Sequence, residues 1–168
     1  IKARVVSNAL ADIVSDSDKI IVMGHKRPDF DAVGACVGIY TFSKIVGKEC
    51  YIILNDSDRD ETIQKVMFEI DNSDEQLSKV FVDSDEAWEL MTPQTTLIVV
   101  DTSDASRVID AAILSKANRK VIIDHHRRGE DIITNPLLTY IEPYASSSSE
   151  LIAELIEYQT KIEKITPI

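Results

Sequence analysis

Three short stretches of this sequence are apolar without interruption, and each runs straight into acidic or imidazole residues. Ile20-Ile21-Val22-Met23 leads through Gly24 to His25, Asp29 and Asp31; Leu97-Ile98-Val99-Val100 leads to Asp101; Val121-Ile122-Ile123 leads to Asp124, His125 and His126. A strand with one wet face alternates apolar and polar side chains, because successive residues point to opposite faces. These runs do not alternate, so both of their faces must be covered. Helical stretches lie between them, and that alternation builds a mostly parallel sheet with helices on both faces. The expected fold is a single α/β domain of the doubly wound kind. Its 168 residues suffice to bury such a core without disulfide or metal staples.

The same rules place the other segments. Residues 2–14 carry Val5, Val6, Ala9, Leu10, Ile13 and Val14 at near-helical spacing. Residues 31–46 are helical in length and nearly apolar. Gly34, Ala35 and Gly38 lie within them; glycine is costly in a helix, so close packing against the sheet is expected. A strand fits residues 50–54, an acidic loop 55–61, a helix 62–70 and a short strand 80–82. Helices fit 85–91, 105–117 and 149–158, and strands fit 95–100 and 120–123. Ser147 and Glu150 have capping-box spacing at the start of the last helix. The serines at 146–149 are too few to make a linker.

In an open α/β sheet the ligand crevice lies beyond the carboxyl ends of the strands. All three histidines of the chain fall there. Each residue has a bland reading: Asp29, Asp31 and Asp101 as helix caps, Asp124-His125-His126 as a hydrogen-bonded turn. Three such strand ends converging on one rim argue for a site. Carboxylates with imidazoles suit Mn²⁺, Zn²⁺ or Fe²⁺, whereas Mg²⁺ prefers oxygen alone. A bridging carboxylate holds two ions about 3.5–4 Å apart, and Asp101 is the candidate bridge. Lys26, Arg27, Arg127 and Arg128 share the rim, where a phosphate ligand would need positive charge.

Charge narrows the ligand. Eighteen Lys and Arg stand against 29 Asp and Glu, a net charge of −11. That argues against gripping long nucleic acid by charge alone, and leaves room for a small phosphorylated ligand balanced by metal ions. Cys36 and Cys50 read as core residues in a reducing, cytosolic setting, not as a disulfide framework. No apolar run reaches the roughly 18 residues that span a bilayer. The first residue is Ile1, and the chain reads as a piece of something longer.

The segment from Val22 to Ala35, containing Gly24-His25-Lys26-Arg27-Pro28-Asp29-Phe30-Asp31, resembles the first motif of the DHH phosphoesterase superfamily. Asp101-Thr102-Ser103 resembles its second, and Asp124-His125-His126 is the triplet that names it. The context Asp124 to Glu130, followed by Glu142 to Glu150, is most similar to the membrane-anchored cyclic-di-AMP phosphodiesterases of Gram-positive bacteria. The resemblance implies a Rossmann-like DHH domain and a site with two Mn²⁺ ions. His25, Asp29 and Asp101 would hold one ion; Asp31, Asp101 and His125 would hold the other. His126 would face the scissile phosphate, and Asp124 would orient the imidazoles. Arg127, Ser147 and Ser148 would contact the substrate. The implied reaction is hydrolysis of cyclic di-AMP to the linear dinucleotide pApA. The parent would be anchored in the cell membrane with this domain on the cytoplasmic face; a homodimer is left open.

The family pattern also has a fourth metal motif, an Asp after a further apolar strand, and a C-terminal DHHA1-type domain with a glycine-rich motif. The sequence stops at Thr166-Pro167-Ile168, before either, so impaired activity of this piece is expected. The rivals are other DHH activities, on oligonucleotides or pyrophosphate, and a non-catalytic nucleotide-binding fragment. A haloacid-dehalogenase reading of Asp29-Phe30-Asp31 fails, because its first Asp should sit directly at the strand end and the histidines would go unexplained.

Overall fold

Alternate residues of a strand face opposite sides, and here both sides are packed. The structure is a computed structural model that describes residues 2–127 and 129–165, with side chains through Thr160. Arg128 and residues 166–168, which figured in the sequence reading, lie outside the described residues. The elements run α1 (Lys2–Ser15), β1 (Ile20–Met23), α2 (Phe30–Val46), β2 (Cys50–Ile53), α3 (Glu61–Ser73), α4 (Glu75–Ser78) and β3 (Phe81–Val82). They continue with α5 (Ser84–Leu90), β4 (Thr96–Val100), α6 (Ala111–Lys116), β5 (Arg119–Asp124), β6 (Leu138–Ile141) and α7 (Ser148–Ile165).

The strands form one sheet in the order β3-β2-β1-β4-β5-β6, with every neighbouring pair parallel. The order reverses direction between β1 and β4, and that switch point opens a crevice at the carboxyl ends. On one face Ile20, Val22, Ile52, Ile98, Val100, Val121 and Ile123 pack with Leu10 of α1, Ile39 and Phe42 of α2, and Ile152 and Leu155 of α7. On the other, Ile21, Met23, Ile53, Leu97, Val99 and Ile122 pack with Ala87 of α5 and Ile113 and Leu114 of α6. Each large apolar side chain so buried contributes roughly 1.5–3 kcal/mol. Among the described residues no helix is long and apolar enough to cross a membrane.

The structure departs from the sequence reading in three places. The helix expected over 105–117 forms only as α6, capped by Asp110, whose side chain accepts from Ile113 N at 3.0 Å. The preceding stretch bonds across the chain instead. Lys26 N donates to Arg107 O at 2.7 Å, Ile109 N donates to Gly24 O at 3.1 Å, and Val108 bridges His25. The edge strand β6 was not anticipated. The glycines of α2 face α7 rather than the sheet. A Cβ on Gly34 would stand 2.7 Å from Ser149 Oγ, and one on Gly38 would stand 2.7 Å from Ile152 Cγ2.

Candidate metal centre

The ends of β1, β4 and β5 lie side by side in the order the sheet dictates, so the residues that follow them meet. Asp101 is the hub. It is the first residue after β4, buried, and adopts φ 63°. A non-glycine residue in this left-handed region is uncommon and marks strain of the kind kept at functional sites. Its Oδ2 faces His25 Nε2 at 3.1 Å, and its Oδ1 lies 3.4 Å from His125 Nε2. His25 Nε2 is also 3.8 Å from Asp29 Oδ1, and His125 Nε2 is 3.6 Å from Asp31 Oδ2.

The first turn of α2 fixes two of the acids. Asp29 is the N-cap, accepting from Ala32 N at 2.9 Å while turning toward His25. Asp31 is clamped from the far end of the chain: its Oδ2 accepts from Ser148 N at 2.9 Å and its Oδ1 from Ser149 N at 2.8 Å. Ser148 Oγ donates to Asp101 Oδ1 at 3.0 Å. The Asp124 carboxylate is buried, and its Oδ1 accepts from His125 N, from His126 N and from His126 Nδ1, the last at 2.7 Å. Its Oδ2 is buried without a protein partner.

The hydrogen bonds assign the tautomers. His25 Nδ1 lies 2.8 Å from the carbonyl of Lys26, which can only accept, so Nδ1 carries a proton and, in the neutral ring, Nε2 offers a lone pair to the crevice. A backbone carbonyl behind Nδ1 is the usual support of a metal-ligating imidazole. That leaves a lone pair and a carboxylate facing each other across 3.1 Å, which is unfavourable until a cation or proton lies between them. The electrostatics agree. The hydrogen bond to Asp101 raises the His25 imidazole above its ordinary value, with burial opposing and the Lys26 carbonyl and Asp29 adding. Burial raises the Asp101 carboxyl, His25 opposes, and the neighbouring Asp31 carboxylate raises it further. Burial also works against the Asp31 charge, but the donors of Ser149 and Ser148 outweigh it and hold that carboxyl below its ordinary value.

The donor set therefore fits divalent metal. The described residues contain two groups that could each hold an ion, His25-Asp29-Asp101 and Asp101-His125-His126, which share Asp101. Separations of 3.4 to 3.8 Å are long for hydrogen bonds. They match two ligands of one ion with bonds of about 2.0–2.2 Å. His126 Nδ1 is already engaged by Asp124, which favours Asp31 as the third partner of Asp101 and His125.

The remaining expected residues separate. Arg127 lines the crevice, of about 190 Å³, with Asp29 and His126. Ser147 uses its hydroxyl to accept from Glu150 N at 3.1 Å at the start of α7, and Glu150 reaches the Ser146 hydroxyl. Ser148, expected at the substrate, is fully buried with its hydroxyl on Asp101, behind the acids instead of before them. Lys26 and Arg27 are exposed. Sequence reasoning missed Arg107, which lines the crevice, because its segment read as helix. It also missed Ser149, whose partner is 118 residues away.

Comparison with known proteins places this geometry. The model of the DHH family, N-terminal domain, matches residues 19–168. The chain is 42% identical over 168 residues to the cyclic-di-AMP phosphodiesterase GdpP of Bacillus subtilis, covering 100% of this chain and 25% of that protein. It is 37% identical over 168 residues to the cyclic-di-AMP phosphodiesterase PdeA of Listeria monocytogenes, with the same coverage. The chain thus spans about a quarter of the length of these relatives. The crystal structure of an exopolyphosphatase-related protein from Bacteroides fragilis superimposes with a TM-score of 0.68 at 22% identity, over 99% of this chain and 46% of that one. That last likeness speaks for the fold.

Proposed function

The chain belongs to the DHH family, and from that premise we propose that it is the metal-binding domain of a phosphodiesterase that hydrolyses cyclic di-AMP to pApA with two Mn²⁺ ions. The observation that carries the reading is the convergence of His25, Asp29, Asp31 and His125 on one buried, strained carboxylate, Asp101. Identity of 37 to 43% along the whole chain to cyclic-di-AMP phosphodiesterases supports the substrate.

His25, Asp29 and Asp101 would hold one ion, and Asp31, Asp101 and His125 the other. Bound metal would supply Lewis acidity, easing deprotonation of the attacking water and offsetting charge on the phosphoryl group. The protein's own groups do the rest. Ser148 and Ser149 hold Asp31 and Asp101 in one orientation, so the ligand set needs little reorganisation. Asp124 accepts the Nδ1 proton of His126 and orients the ring so that Nε2, when it carries a second proton, would give it to the 3′-oxygen as the P–O3′ bond breaks and the water oxygen bonds to phosphorus. Arg127 pairs with phosphate oxygens at the mouth of the crevice. The parent protein would lie at the cytoplasmic face of the membrane.

Turnover by the complete protein with Mn²⁺ on cyclic di-AMP, pApA, single-stranded DNA and pyrophosphate tests the reading. Release of pApA from cyclic di-AMP is expected. Pyrophosphate cleavage with intact cyclic di-AMP would overturn it.

A further inference from the structure

The same rim carries a second cavity, of about 460 Å³, lined by Lys2, Arg127, Thr139, Ile141, Pro143 and Tyr144. It opens at the carboxyl end of β6. That end is tied to the triplet of β5, because Glu142 N donates to Asp124 O at 3.0 Å. Arg127 lines both this cavity and the metal crevice, so the two spaces are neighbours that share this residue. Among the described residues Arg127 makes no hydrogen bond or ion pair, and it is free to take a phosphate.

Tyr144 has no structural duty that explains it. Its side chain is 95% exposed, more than that of any other exposed large hydrophobic. It also lines a further cavity of about 360 Å³, again with Lys2, so the ring is bordered by open space on more than one side. An unpacked aromatic ring beside a crevice suited to phosphate is what a nucleobase needs for stacking, and stacking tolerates any base because every base has a π-face. Pro143 and Ile141 add apolar surface to a lining that is otherwise polar, a mixture suited to a heterocycle with a charged tail.

We propose that Tyr144 is the stacking platform of a nucleobase subsite, with Arg127 holding the phosphate that joins it to the crevice. The proposal rests on the phosphodiesterase reading above and adds what the neighbouring cavity takes: a nucleotide, its phosphate toward the metals and its base on Tyr144. Tyr144 thereby selects nucleotides over other phosphate esters.

Calorimetric titration of the manganese-loaded protein with adenosine 5′-monophosphate and with ribose 5-phosphate compares two ligands that differ only in the base. The nucleotide should bind about tenfold more tightly. Tyr144→Ala should bring it to the level of ribose 5-phosphate, and Tyr144→Phe should keep most of the preference, because the ring and not the hydroxyl stacks. Equal or undetectable binding of both ligands by the wild type overturns the subsite, as does a preference that survives in Tyr144→Ala. A wild type that prefers the nucleotide, with a complete protein that leaves cyclic di-AMP intact, would sink the hydrolytic function and leave the subsite standing.

Discussion

Two aspartates at opposite ends of the sheet show how the same side chain can be either settled or left waiting. Asp18 lies ahead of β1 and accepts from Thr92 Oγ1 at 2.6 Å, Thr95 Oγ1 at 2.9 Å and Lys19 Nζ at 3.1 Å. Burial works against its charge, but these donors prevail and bring its pKa to about 2. Asp101, after β4, is pushed the other way by burial and by Asp31, against the pull of His25 and Ser148. The amino end of the sheet completes its own hydrogen bonding. The carboxyl end assembles carboxylates and imidazoles that need something from outside.

Breaking the two acids in turn should separate these roles. Asp101→Asn should abolish tight Mn²⁺ binding in calorimetry and lower turnover of cyclic di-AMP on the order of 10³-fold, the scale of losing a principal electrostatic stabiliser. Asp18→Asn should leave both nearly unchanged. If Asp18→Asn proved as harmful as Asp101→Asn, the contrast would be wrong.

Ser148→Ala sharpens the contrast, because it removes a hydroxyl that donates to Asp101. Losing such a supporting partner should weaken Mn²⁺ binding by about 10–100-fold. Gly38→Ala acts between the ends. Its Cβ would meet Ile152 Cγ2 at 2.7 Å, a stiff branched side chain, so urea denaturation should show about 1–3 kcal/mol of destabilisation. Mn²⁺ affinity should not change, since Gly38 borders no metal-facing residue.

The smallest effect is the pH dependence of Asp18. Its folded pKa is depressed from 3.8 to about 2, so its contribution is fully present above 3.8 and lost as pH falls through about 2. Thermal melts of Asp18→Asn between about pH 5 and 2 should show a flatter acid limb than the wild type. The change will be modest, because the side chain is 33% exposed and screened by water.

What the sequence could convey depended on whether a signal was local. The buried strands and the acids and histidines after them are adjacent in the chain, so β1, β4 and β5 and their charged ends were legible, as was the doubly wound class. The stretch 105–110 had helical composition, but the backbone partners at Gly24 and Lys26 prevailed over propensity. β6 is a four-residue edge strand with one buried side chain, too short and too mixed to stand out. The small residues of α2 correctly announced a close approach; only the structure could say that the neighbour is α7. Ser148 read as a substrate contact because nothing in sequence links it to Asp101, 47 residues away.

The clamp on Asp31 carries a consequence for how the protein comes to exist. By the time a growing chain has emerged as far as Ile141, every proposed metal ligand is already present. The amides that orient Asp31, and the hydroxyl that steadies Asp101, belong to Ser148 and Ser149. An incomplete nascent chain therefore offers ions only loosely directed acids, and the centre takes its final shape when α7, which follows every one of those ligands in the chain, docks across α2.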